Sequence, residues 1–410
     1  MEEKLEKENS DVKDKKVDKI LEYLIYILFF MAPLTRSGVN VFSYLILLIW
    51  VYKRVRYKDK LDQKYSALKP WFVIYGTVMV LSLFNTVHVV DGLRNLFSEY
   101  IKYVVVFVTT LELIREERQF RKIWTIVPVS ALLFVGYGFY EYYYQGVRRI
   151  FVTFSNPNPA GSYVMLMTVL ALAAVLFSKA RVYKLTGLLF TVAGSWTLGL
   201  SGSRGAMVGF ICGVTVLLFT FGWRSVRVGH YRRVVVVLVV VLVVAFMLVP
   251  QDVVERIGSS TNLEGSSIQQ RFIQYRVVGR MVRDYPLVGI GTGQFRDRFP
   301  DYITEEDREK VRNINIVSRV HSLYFNILAE TGILGLLAFL ILLGKVFWLA
   351  VKGLKNWQPR NLWFHYGVMG LVVGLGVHNL FDWTFLHTQV GIFVVILVAV
   401  WMNNIYRVGE

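Results

Sequence analysis

The chain has one cysteine, Cys212, and it lies inside an apolar run. A disulfide framework is therefore excluded, and so is a thiolate metal site. Acidic residues are few beside basic ones, 29 Asp and Glu against 46 Lys and Arg, for a formal net charge of +17. No small-residue cleavage site follows the first apolar run, which begins near Ile20 behind a long charged head. That run reads as a retained signal anchor rather than a removable leader. No internal repeat is visible, and no low-complexity tract beyond the charged head. What is plentiful is apolar: 55% of the 410 residues are hydrophobic and 15% aromatic, with mean hydropathy +0.46. This places the chain in the membrane class, not among soluble proteins of two or three domains. In that setting the positive charge reads as basic loops meeting anionic membrane lipids, with no nucleic acid as partner.

About twelve segments are long enough to cross a bilayer core as a helix, which takes roughly 17–25 apolar residues. They fall at 19–34, 38–52, 70–88, 94–114, 122–143, 160–178, 183–200, 204–222, 233–249, 321–350, 362–380 and 386–405. The first two are spaced for a tight hairpin. The Val234–Val244 run has strand propensity, but an isolated strand leaves backbone groups unpaired in lipid, so a helix is expected. The connections alternate in charge. Basic residues cluster over 53–69, 115–122, 179–184, 224–233 and 345–360, and with the lysine-rich head they mark one side, which the positive-inside rule makes cytoplasmic.

The opposite side receives the turn Asn156–Pro159, the turn Ser201–Arg204, the long segment 250–320 and the loop around Asp382. A connection as long as 250–320 is usually functional, and its helical periodicity predicts a small structured cap. The expected fold is an all-α polytopic membrane protein. It has a disordered cytoplasmic head over 1–18, nine transmembrane helices over 19–249, an outer loop domain with short helices over 250–320, and three further helices with a cytoplasmic C-terminus over 321–410.

Three stretches on the outer side carry residues suited to chemistry. In His321–Gly335, a polar loop meets an apolar helix. Around such a helix Gly332 lies about 20° from His321 and Gly335 about 40° to the other side, which would make a smooth seam for a neighbouring helix with an imidazole at its end. A helix cap is the plainer role for that histidine. Arg204 follows Ser201 and Ser203, both good N-cap residues, at the outward start of a helix. Free backbone N–H groups, the positive helix end and a guanidinium there would suit a phosphate or diphosphate; an arginine reaching lipid headgroups is the alternative. Arg271 projects from the apolar face of a helix over 268–283, beside Tyr275, Val278 and Val282, where an unpaired charge needs an anion or a wet cavity. Arg276, Arg280 and Arg283 share the opposite face and read as a solvated stripe, as does the acidic cluster Glu305-Glu306-Asp307.

The Gly289–Gly293 run lacks the strand and acidic residue of a nucleotide fold and is expected to be a turn. His378, Asp382 and His387 serve equally as substrate contacts or polar caps.

His321-Ser322, nine residues, Gly332, two residues and Gly335 resembles the signature of the O-antigen ligases and related bacterial O-oligosaccharyltransferases. So do the Ser203–Ala206 turn, Asn156-Pro157-Asn158, and the Arg271 helix followed by Asp284–Gly289 ahead of the histidine. The resemblance implies a glycosyltransferase of C-type fold in the bacterial inner membrane that needs no cofactor and no metal. It would move a glycan from undecaprenyl diphosphate to a hydroxyl of the lipid A core on the periplasmic side. Carried over by motif, His321 is the essential histidine, acting as base; Arg204 and Arg271 are the essential arginines, on the diphosphate. Ser203, Asn156, Asn158 and Tyr275 become candidate substrate contacts, and Gly332 and Gly335 the motif glycines. A polysaccharide polymerase and a protein O-oligosaccharyltransferase share these features. A twelve-helix transporter is the alternative of another class, but such proteins usually show repeated halves and midplane breaks, whereas here the polar residues gather at one face.

Overall fold

The computed structural model describes residues 2–57, 67–227, 267–309, 319–356 and 361–406. The expected span 233–249 and the first part of the expected loop domain lie outside these residues. Among the described residues the regular elements are helical and no strand occurs.

The chain opens with α1 (Glu2–Met31) and α2 (Arg36–Tyr57), which pack side by side as the expected hairpin. The first helix starts inside the charged head, where disorder was expected. Glu3 and Lys7, and Asp11 and Lys15, stand four apart there, a spacing that supports helix. Two expected spans are broken. The helix α3 (Lys69–Ser82) tightens into a 3-10 turn at Leu83–Asn85, and α4 (Val89–Leu96) widens through a π-helical turn at Phe97–Ile101 into α5 (Lys102–Leu113).

Four helices follow: α6 (Glu117–Tyr143), α7 (Pro157–Phe177), α8 (Arg181–Ser201) and α9 (Arg204–Arg227). After them come α10 (Ser267–Asp284), α11 (Phe295–Tyr302) and α12 (Glu305–Glu309), and then α13 (Leu323–Asn356), α14 (Leu362–His378) and α15 (Thr388–Tyr406). Five helices among the described residues are long and apolar enough to cross a membrane: Arg36–Tyr57, Glu117–Tyr143, Pro157–Phe177, Arg204–Gly222 and Leu323–Gly353. Leu362–His378 and Thr388–Asn404 are shorter and equally apolar in character. The protein is thus helical and multi-pass, with fewer such helices among the described residues than the twelve expected from apolar length.

The centre of the fold is α7. It is apolar on all sides, and 78% of its most apolar window is buried, against α8, α9 and α14. Between α9 and α14 the backbones nearly touch. Gly205, Gly209 and Gly213 recur every fourth residue on α9, as do Gly370 and Gly374 on α14. A Cβ on Gly209 would stand 2.5 Å from the Gly374 carbonyl oxygen, and one on Gly213 would stand 2.8 Å from that of Gly370. Without a hydrophobic drive between helices in lipid, such close backbone approach supplies the packing energy.

Helices α10 and α11 form a second core with the start of α13, built from Ile273, Val277, Val278, Met281, Phe295, Phe299 and neighbours. Two of the arginines expected to be a solvated stripe are instead tied down. Arg276 and Arg280 both hold the Asp307 carboxylate, Arg280 at 2.7 Å, and Asp307 is buried rather than part of a solvated acidic face. Burial pushes the Asp307 carboxyl up, but the hydrogen bonds from Arg280 and Thr304 and the charges of both arginines hold it below the usual carboxylate range.

The helix α13 is broken at Gly332, at φ 65° and ψ −167°. The segment Pro286–Gly291 lies in the break and repairs the exposed backbone. Ile290 N–H donates to Ala329 O, Gly291 N–H to Glu330 O, Ile333 N–H to Pro286 O and Leu334 N–H to Leu287 O. A side chain at Gly332 would run into the Leu287 carbonyl. The glycine therefore serves a left-handed turn and a crossing chain, not the seam on a continuous helix that the spacing suggested. A side chain at Gly335 would run into the Thr331 side chain, and its Cβ would stand 3.5 Å from Val78 of α3.

Gly209→Leu is expected to force α9 off α14 and to cost about 1–3 kcal/mol, the usual range for overpacking. Thermal unfolding in detergent should show a lowered midpoint, whereas Gly136→Leu, where nothing lies within 4 Å, should leave it unchanged.

Candidate functional site

A polar cleft of about 260 Å3 opens where the N-terminal ends of α7 and α9 and the C-terminal end of α14 meet α10 and the chain leading into α13. Its wall includes Arg204, Arg271 and His321, together with Ser203 and Asn158. Three separate stretches of sequence thus converge on one space.

Each wall has a local cause. Gly202 takes φ 57° at the end of α8, and the chain turns directly into α9. Ser203 caps that helix: its hydroxyl accepts from Ala206 N–H at 3.4 Å and its carbonyl from Met207 N–H at 3.0 Å. Arg204 is the first helical residue, so its side chain leaves beside the free N–H end. Asn156 caps α7, its side chain accepting from Asn158 N–H, with Pro157 in the first turn. This turns Asn158 toward the cleft, while Asn156 is not on the wall. Arg271 lies in the first turns of α10. Its neighbour Phe272 is largely exposed, and the buried face of that helix runs through Ile273, Gln274 and Val277. Arg271 therefore stands at the margin of the apolar face, not in its middle.

His321 precedes α13 in an irregular bend, with Ser322 as the capping residue; Phe325 N–H reaches its hydroxyl at 3.5 Å. The backbone of His321 is gripped from two sides by α10. Its N–H donates to Gln274 Oε1 at 2.8 Å, and its carbonyl accepts from Tyr275 Oη at 3.0 Å. Tyr275 stacks on Phe325 at 4.4 Å between ring centres. It supports the histidine from behind and does not line the cleft. The imidazole Nδ1 faces Asp382 Oδ2 at 3.8 Å, too long for a hydrogen bond but close for a charge pair. The Asp382 carboxylate also accepts from Asn158 Nδ2, and from Trp383 N–H at 2.7 Å. Burial alone would raise its pKa; the facing His321 and His378 rings and the Trp383 N–H outweigh burial and hold it below the usual value. It faces the cleft as an anion.

Residues 188–340 match the family model described as O-antigen ligase. Over that span the chain is similar to the O-antigen ligase family. No curated protein matches the chain. The family segment holds Arg204, Arg271, His321, Gly332 and Gly335, but part of the cleft wall comes from outside it.

Arg149, Asn158, His378, Phe381 and Asp382 are contributed by flanking chain. Arg149 and Gln270 were missed by sequence reasoning. Arg149 donates to the carbonyls of Ser201 and Gly202, at 3.2 and 3.3 Å, and so braces the turn ahead of Arg204. Its loop is pinned by buried Glu141, which accepts from Phe151 N–H and Val152 N–H. The pair Arg148-Arg149, in the short connection between α6 and α7, was the available signal. Of the three weaker candidates, His378 and Asp382 reach the cleft. His387 does not: its Nε2 lies 3.1 Å from Ser155 Oγ, and burial, with Arg36 adding to it, pushes its pKa down to about 4.

Tyr275→Phe deletes only the hydroxyl that holds the His321 carbonyl. A single hydrogen bond is worth about 0.5–1.5 kcal/mol, so turnover on a lipid-linked donor is expected to fall roughly two- to tenfold with the fold intact. Unchanged steady-state rates would place the His321 backbone under the control of Gln274 alone.

Proposed function

We propose that the protein is an O-antigen ligase: it transfers a glycan from undecaprenyl diphosphate to a sugar hydroxyl of the lipid A core on the periplasmic side of the inner membrane. The observation that carries this reading is the convergence of Arg204, Arg271 and His321 on one cleft, together with the family match over the segment that contains all three.

The chemistry follows from the arrangement. An acceptor hydroxyl attacks the anomeric carbon of the donor, its C–O bond forms as the bond to diphosphate oxygen breaks, and the configuration inverts. Negative charge grows on the departing diphosphate, where two guanidiniums and the N–H end of α9 stabilise it. The hydroxyl proton passes to His321. Asp382, opposite Nδ1, favours the tautomer protonated there, leaves Nε2 to take that proton, and stabilises the imidazolium that results. The same machinery would serve a polymerase with a different acceptor.

The deciding experiment supplies purified protein with lipid-linked donor, with and without lipid A core. Release of polyprenyl diphosphate that depends on the core supports a ligase; lengthened lipid-linked glycan without it supports a polymerase; no release at all removes glycosyl transfer. Arg204→Ala and Arg271→Ala should each lower turnover about a hundred- to a thousandfold, with poor rescue by Lys, which lacks the two-pronged fork. His321→Ala should abolish transfer and spare donor binding, and chelators should have no effect. A trapped glycosyl–protein adduct would contradict direct displacement.

Orientation has its own test. In a Cys212→Ala background, Lys60→Cys and Lys355→Cys should be shielded from an impermeant thiol reagent in intact spheroplasts, and Glu305→Cys should be labelled. The reverse pattern would put the cleft on the cytoplasmic side.

A further inference from the structure

His378 lines the cleft, and nothing in the reaction above uses it. The residue is 1% exposed, lines the cleft, and its Nε2 is buried without a hydrogen-bond partner. An unsatisfied buried polar atom needs an explanation, and here its residue lines a polar cleft beside Arg204. The ring lies against the first turn of α9. A Cβ on Gly205 would come within 2.8 Å of His378 Cδ2 and 3.2 Å of Nε2, so glycine at that position is what admits the imidazole beside Arg204.

The protonation of the ring can be read from what holds its other side. Nδ1 lies 3.1 Å from Ser162 Oγ, and Ser162 Oγ lies 3.0 Å from Thr384 Oγ1. Thr384 Oγ1 in turn reaches Asn379 Oδ1 at 3.5 Å. The orientation of the Asn379 amide is fixed, because its Nδ2 donates to Leu375 O at 2.8 Å and its Oδ1 accepts from Phe385 N–H at 3.1 Å. An amide oxygen can only accept, so the Thr384 hydroxyl donates to it. Thr384 then accepts from Ser162, and Ser162 accepts from His378 Nδ1–H. The neutral ring is left with a lone pair, not a proton, on Nε2. A lone pair does not bind a phosphate oxygen; it binds a hydroxyl.

We propose that His378 is a second substrate-contacting histidine, whose Nε2 accepts a hydrogen bond from a hydroxyl of the donor sugar that carries the diphosphate. The contact places that sugar beside the Arg204 turn and selects for a hydroxyl at one ring position. This rests on the glycosyl-transfer reading of the cleft, and wild-type release of polyprenyl diphosphate from lipid-linked donor is the control that tests that reading separately.

Two pairs of variants test the contact. The amide of Gln reaches the place of Nε2, whereas that of Asn reaches only the place of Nδ1. His378→Gln should therefore keep most of the transfer rate, and His378→Asn should raise KM for the donor or lower kcat roughly ten- to a hundredfold, the effect of leaving one buried polar contact unmade. A role confined to holding Ser162 gives the opposite order, Asn above Gln, and overturns the proposal, as do two variants both equal to wild type. If neither variant folds, Thr384 decides. Thr384→Ser keeps the hydroxyl chain and should keep activity, while Thr384→Val frees Ser162 to donate to Nδ1, shifts the proton to Nε2 and should raise KM for the donor. Equal donor KM in the Ser and Val variants would sink the assignment of Nε2 as acceptor.

Discussion

The close crossing of α9 and α14 is the contact on which the site depends. Two glycine rows with four-residue spacing let the backbones meet at carbonyl distance, and that approach sets the relative height of the two helix ends that flank the cleft. At the N-terminal end of α9 stand Ser203 and Arg204; at the C-terminal end of α14 stand His378 and, four residues on, Asp382. The fixed partial positive charge of one helix end and the carboxylate of the next loop are thereby brought across a single cleft. In lipid, where apolar side chains gain little from meeting one another, backbone proximity is the force that can hold such a geometry.

A second constraint acts on the other wall. Non-helical backbone near a membrane must be paired internally, and the break at Gly332 is paired by Pro286–Gly291 through four backbone hydrogen bonds. The same outer segment is fastened to the α3–α4 region: Asn85 donates to Gly289 O, Asn95 to Thr292 Oγ1, and Gln294 accepts from Val87 and His88 N–H. With that segment immobilised, α10 is held over α13, and its Gln274 and Tyr275 clasp the His321 backbone within one turn of Arg271. Arg319, two residues before the histidine, is buried against Glu99 on the π-helical turn and stacks over Trp383 at 5.3 Å. The histidine-bearing segment is thus tied on both sides, and the cleft is formed between packed helices.

Much of this was legible in the sequence. Apolar length and the asymmetry of basic residues are local or additive properties, and they determined the membrane class, the helical fold and the candidate outer face. Arg204, Arg271 and His321 also stood out locally, because each is a charged or titratable residue at a helix start or on an apolar face, where its desolvation needs a reason. Gly332 stood out by spacing, though for the wrong cause: a helical wheel assumes a continuous helix, and the left-handed residue that breaks this one is invisible to it.

Only the tertiary structure decided which residues meet. The charges on α10 look alike in sequence, yet Arg276 and Arg280 are consumed by buried Asp307 while Arg271 reaches the cleft. His378 and His387 look equally placed at their helix ends, yet one lines the cleft while the other lies outside it, with its Nε2 against Ser155. Sequence determines what a segment can bury and how it is periodic. Which polar atom is left without a partner depends on contacts between segments far apart in the chain, Ser162 with Thr384 or Asn158 with Asp382, and those exist only once the helices are packed.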